Sequence, residues 1–100
     1  MHEYCLNLVC PLQVEEKLLD VLLDMAEAEV FTTTHVHSHG ARSARLSTKE
    51  QVMGRSQAIQ VRVLLTEQSL THLLARLRME FAGAGIRYWA SPVVLEGEIK

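Results

Sequence analysis

Three histidines stand at alternate positions in the run Thr34-His35-Val36-His37-Ser38-His39-Gly40. In an extended chain, residues i, i+2 and i+4 point to one side, so His35, His37 and His39 form a row. Neutral imidazole is a common ligand of zinc, copper and nickel. Adjacent rings of the row lie about 6.8 Å apart at strand rise, a span that two side chains close around one ion. The outer pair lies about twice as far apart, so three ligands on one ion require the chain to bend, which Gly40 permits beside His39. Further ligands would come from His2, Cys5, another subunit or water. The competing reading is a polar strand end whose histidines face water or pair with neighbours.

The segment that follows, residues 40–56, carries Arg42, Arg45, Lys49 and Arg55 against a single acid, Glu50. A long excursion inside a small domain is usually functional or disordered. Arginine suits carboxylate and phosphate, so the segment fits a nucleotide, an acidic partner or anionic lipid. A solvated loop without a partner is the competing reading. Gly40 and Gly54 frame the segment as hinge points. A third feature, Arg87-Tyr88-Trp89-Ala90-Ser91-Pro92, holds the only tryptophan. Large aromatics at a strand end more often pack or form subunit contacts than stack on a ligand.

Catalytic signatures are missing from the sequence. It contains no Gly-x-Ser-x-Gly elbow, no Walker loop and no Gly-x-Gly-x-x-Gly. Acylphosphatases share the element order derived below, but they need a glycine-rich, arginine-containing cradle after the first strand. Cys10-Pro11-Leu12-Gln13 occupies that place. RNA-binding domains of the same topology stack bases on strand aromatics, and Ile59 to Leu65 has none. The chain is therefore expected not to be an enzyme and not to bind nucleic acid.

These features must be positioned by a scaffold, and the periodicity defines one. Tyr4 to Cys10 reads as a strand with Tyr4, Leu6 and Leu8 on one face and Cys5, Asn7 and Val9 on the other. Pro11 opens a helix expected to run to about Ala28, with Val14, Leu18, Val21 and Met25 in a stripe that Leu19, Leu22, Leu23 and Ala26 widen. Val30 to His37 is strand-like. Ala58 to Leu65 alternates, with Ile59, Val61, Val63 and Leu65 inward. Thr66 is placed to cap a second helix carrying Leu70, Leu73, Leu74, Leu77 and Phe81, which Gly83 and Gly85 end. Ile86 to Ser91 makes the last strand.

The order βαββαβ predicts an α+β, ferredoxin-like domain: a four-stranded antiparallel sheet, two helices on one face and a long loop after the second strand. Residues 1–100 form that one domain. The other sheet face would carry Cys5, Asn7, Val9, Gln60, Arg62 and Leu64. That mixture is too apolar for open solvent throughout, which predicts oligomerisation. One hundred residues, 48% apolar and 22% charged, suit a single globular core. A net charge of −2 gives no global field for nucleic acid. Apolar runs are broken well short of the roughly 18 residues a membrane span needs, so no direct insertion is expected. Met-His-Glu-Tyr lacks the basic start and apolar run of a signal peptide, which favours the cytoplasm. Cys5 and Cys10 lie about 17 Å apart on one strand, too far to pair.

The run His39-Gly40, the block Ser47 to Arg55 and then Tyr88-Trp89 with Pro92 and Gly97 together resemble a family of small PII-like proteins. Its members are often encoded beside heavy-metal efflux pumps of the resistance-nodulation-division class. Glu50-Gln51-Val52-Met53-Gly54-Arg55 is the most specific part of the likeness, which extends over nearly the whole chain. The resemblance implies a ferredoxin-like homotrimer in which residues 40–56 correspond to the PII T-loop, a segment that contacts transporters or enzymes. Arg42, Arg45, Lys49, Glu50, Gln51, Gly54 and Arg55 would then meet a membrane transporter, and His35, His37 and His39 would sense a metal. Two departures stand out. The segment has no tyrosine to modify, and the turn Ala82-Gly83-Ala84-Gly85 is shorter than the nucleotide-phosphate segment of PII proteins and has no lysine, so nucleotide binding is not expected from it. Two other readings remain open: a metal-tolerance binding protein of the CutA kind, and a small-molecule or nucleotide module using clefts between subunits.

Overall fold

The computed structural model describes residues 2–26, 28, 30–40 and 55–100. Strand β1, Tyr4–Pro11, leads through a 3-10 turn, Leu12–Val14, into helix α1, Glu15–Asp24. Strands β2, Phe31–His39, and β3, Arg55–Leu65, follow, then helix α2, Glu67–Glu80, and strand β4, Arg87–Pro92. The strands form one antiparallel sheet in the order β2-β3-β1-β4. This is the expected ferredoxin-like α+β arrangement.

The ladder registers fix which side chains share a face, because directly opposed residues point the same way. Leu6 opposes Val63, Leu8 opposes Val61 and Cys10 opposes Ile59. All six are buried at 1% exposure or less. Leu18, Val21 and Leu22 of α1 and Leu73, Leu77 and Phe81 past α2 complete that core. The other face carries Cys5 against Leu64, Asn7 against Arg62 and Val9 against Gln60, as the alternation predicts.

Three boundaries differ from the sequence expectation. Helix α1 stops at Asp24 rather than near Ala28, because Met25 turns extended at ψ 115°. Met25 and the buried Ala28 therefore reach the core from a turn, while Leu23 is left 73% exposed. Pro11 closes β1 instead of opening the helix. The β2–β3 ladder also runs further than its apolar pattern does, through His37–Gln57, Ser38–Ser56 and His39–Arg55. Backbone pairing does not need apolar side chains, so periodicity alone underestimates such an extension.

Capping holds α2 as expected. The Ser69 amide donates to the Thr66 hydroxyl at 3.1 Å, and the Glu67 amide donates to a Glu3 carboxylate oxygen at 3.2 Å. At the far end Lys17 donates to the Glu80 carbonyl at 3.2 Å and sits 4.9 Å from the centre of the Phe81 ring, tying α1 to the end of α2. Replacing Thr66 with alanine leaves the Ser69 amide without its cap. The expected loss is about 1 kcal/mol, a melting-temperature fall of about 4–8 °C in calorimetry. An unchanged melting temperature would contradict the assignment of the cap.

Candidate functional site

Strand β2 lies at one edge of the sheet, and His35, His37 and His39 are exposed along it. Their ladder partners are Ile59, Gln57 and Arg55, so the three imidazoles are in line with the helix-covered face. The β1–β3 ladder ends at Pro11–Ala58, which leaves His37 and His39 on a two-stranded extension beyond the four-stranded sheet. The row is present as predicted. The chain stays extended through His39, however, and Gly40 makes its turn, at φ +79°, only after the last histidine. Among the described residues, no three His, Cys, Asp or Glu side chains are grouped to hold a metal. Neither His2 nor Cys5 joins the row: His2 is held near the C-terminus, and Cys5 lies on β1 facing the other side of the sheet.

The residues assigned to partner binding begin where this extension ends. Arg42, Arg45, Lys49, Glu50, Gln51 and Gly54 lie outside the described residues. The backbone of Arg55 is the first rung of β3, opposite His39. The two ladder ends, His39 and Arg55, are thus the rung at which the described hairpin stops.

Alternation parts the aromatic pair. Tyr88 opposes Leu8 and faces the helices, whereas Trp89 opposes Asn7 on the uncovered face, where it is 50% exposed. Asn7 itself is buried and donates to the Cys5 carbonyl at 3.4 Å. The registers also set Arg62, Arg87 and Gln60 on this face, and no carboxylate among the described ladder positions joins them. The face is therefore half apolar and positively charged, and no helix among the described residues lies over it.

A feature the sequence reading missed lies between α2 and β4. An open apolar groove of about 350 Å³ is lined by Leu74, Leu77, Phe81 and Ile86, with Arg78 and Tyr88 at its rim. Arg78 donates to the Tyr88 hydroxyl at 3.2 Å. The signal was available in part: Leu74 and Phe81 widen the α2 stripe toward the side on which Ile86 and Tyr88 return. The Cys10 thiol is pushed up to about 11 by burial and secondarily by the Glu15 charge, which keeps it protonated and unreactive.

The chain ends are clasped. His2 Nδ1 donates to Glu96 Oε1 at 3.0 Å, and the Val93 amide donates to the Glu3 carbonyl at 2.9 Å. Hydrogen bonding from the His2 side chain, then from its backbone, holds the Glu96 carboxyl below its usual value. A depressed carboxylate stabilises the clasp above the free glutamate pKa, and this contribution disappears as pH falls through the folded value. In an NMR pH titration, the Glu96 side chain is expected to titrate below free glutamate, and the backbone signals of residues 93–96 should move with it. A Glu96→Gln variant should lose that transition. A midpoint at the free-glutamate value would mean the clasp is absent in solution.

The fold is one that solved PII-like and CutA proteins share. CPII, a nitrogen regulatory PII-like protein from Thiomonas intermedia K12 solved bound to ADP, AMP and bicarbonate, is similar with a TM-score of 0.73 at 16% identity. That match covers 99% of this chain and 98% of CPII. The periplasmic divalent cation tolerance protein CutA from Archaeoglobus fulgidus is similar with a TM-score of 0.68 at 11% identity, over 98% of this chain and 89% of CutA. Residues 1–100 match the model of DUF3240, described as a protein of unknown function, and the chain belongs to that family. A DUF3240 family protein from Shewanella baltica OS155 has a similar structure, with a TM-score of 0.81 at 15% identity over 100% of this chain and 99% of that one. No curated protein matches the chain in sequence. Among the described residues no helix is long and apolar enough to cross a membrane.

Proposed function

We propose that this protein is a non-enzymatic, cytoplasmic PII-like regulator that assembles as a homotrimer through its uncovered sheet face. It takes up a transition metal ion, zinc, copper or nickel, on the row of His35, His37 and His39, with two neighbouring rings to an ion. It displays residues 40–56 to a membrane transporter of the heavy-metal efflux kind. The observation that carries this reading is the exposed histidine row on β2, which ends at the His39–Arg55 rung, next in sequence to the basic segment. An ion held on that row shifts the segment only in so far as it binds one arrangement more tightly than another. The neighbouring imidazoles of an extended strand supply two ligands at most, so water or a second subunit completes the shell.

Calorimetric titration with zinc and copper tests the site. Wild type should bind, and the double variant His35→Ala/His37→Ala should bind neither ion while keeping its sedimentation mass. An identical titration of the two proteins would discard the site.

The likeness to CutA favours a second reading, a metal-tolerance binding protein with no signalling partner. Capture of a transporter by the wild-type protein, lost on replacing Arg42, Arg45 and Arg55 with alanine, separates the two. Metal binding without capture would favour the CutA-like reading.

A further inference from the structure

Among the described residues, two apolar features are left without partners, and they lie at opposite ends of the same strand. The groove sits beside Ile86 and Tyr88, where β4 begins. Beyond Pro92, where β4 ends, the tail exposes Val94 at 96%, Leu95 at 85% and Ile99 at 100%. Three large apolar side chains so fully exposed in one short segment are of the kind that marks an interaction site.

The two features cannot meet within one chain. From Tyr88 to Val93 the strand runs about 17 Å away from the groove. The tail is then held by Val93 on Glu3 and by Glu96 on His2, both at the start of β1. Leu95 lies between those two anchors. Past Glu96, Ile99 is three residues on and reaches about 10 Å at most.

The charges are complementary. Arg78 stands at the groove rim with a neutral partner, the Tyr88 hydroxyl, and it makes no ion pair among the described residues. The tail contributes Glu98, which likewise has no ion pair there.

We propose that the α2–β4 groove receives the C-terminal segment of a second copy, with Leu95 and Ile99 set against Leu74, Leu77, Phe81 and Ile86, and with Glu98 reaching Arg78. The contact joins two different surfaces, so it is heterologous, and a rotation that closes makes a ring of copies. It rests on the self-association read above and adds which segments meet. The His2–Glu96 clasp is part of the device, because it points the tail away from its own groove. A groove of this volume falls within the range of small-ligand sites, which gives room for the two apolar side chains.

The test is a sample mixed from methyl-labelled and unlabelled full-length chains, observed by NMR. Nuclear Overhauser contacts are expected between Leu95 and Ile99 methyls of labelled chains and the Phe81 and Tyr88 rings of unlabelled ones. Arg78→Glu and Glu98→Arg should each weaken association about tenfold, and the combined swap should recover to within about threefold of wild type. An assembled protein without these intermolecular contacts, or with the groove filled by a co-purifying small molecule, overturns the tail assignment and leaves the assembly standing. A protein that sediments as a monomer at every concentration overturns the assembly reading and this inference with it.

Discussion

Shortening Leu73 to alanine is expected to lower the unfolding free energy by about 3 kcal/mol. Leu73 projects from the middle of α2 with no exposed surface, into the cluster that includes Val61, Leu8 and Leu22. Truncation removes the transfer energy of the lost carbons and leaves a cavity that a sheet and a helix, held by their own backbone bonds, fill only in part. A domain of this size is stable by about 5–15 kcal/mol, so the change takes a large share of the total. Urea denaturation at fixed protein concentration measures it, since association would otherwise shift the midpoint. Leu23→Ala is the internal control. At 73% exposure that leucine leaves no cavity, and the substitution should be close to neutral. Equal losses at the two positions would mean that the helix faces are wrongly assigned.

Trp89→Arg is expected to weaken self-association at least thirtyfold, about 2 kcal/mol, with helical circular dichroism unchanged. The tryptophan is half exposed in the middle of β4, on the face opposite α1 and α2. Its loss removes the largest apolar anchor there. The replacement adds a cation to a face that already holds Arg62 and Arg87 without a carboxylate. Bringing such faces together then costs both the missing contact and the added repulsion. Sedimentation velocity across a concentration series reads the result directly. A variant with the wild-type mass distribution would show that copies meet elsewhere.

Much of this architecture was legible in the sequence because the signals agree with one another. Alternation in Ile59, Val61, Val63 and Leu65 defined β3, the Thr66 cap opened α2, and Gly83 and Gly85 closed it with positive φ. The uncovered face followed from the same parity. The end of α1 was missed because apolar residues at 25 and 28 satisfy a helical stripe and a buried turn equally well. The groove was harder still. It exists only where Leu74 on α2 and Phe81 just past its end come beside Ile86 and Tyr88, and no local pattern records that meeting. The histidine row was read correctly as a row, but the sequence could not tell which side of the sheet it served. Cα partners decided that, through His35 opposite Ile59.

The same parity has an evolutionary cost. Val63, buried in the core, and Phe31, packed against it, act as the zero point from which every later position on the hairpin is counted. A single residue gained or lost between Phe31 and His35 would leave the composition almost untouched and turn all three rings toward the side that Arg62 occupies. Lineages of this protein should therefore tolerate exchanges of side chains along that stretch far more readily than changes in its length.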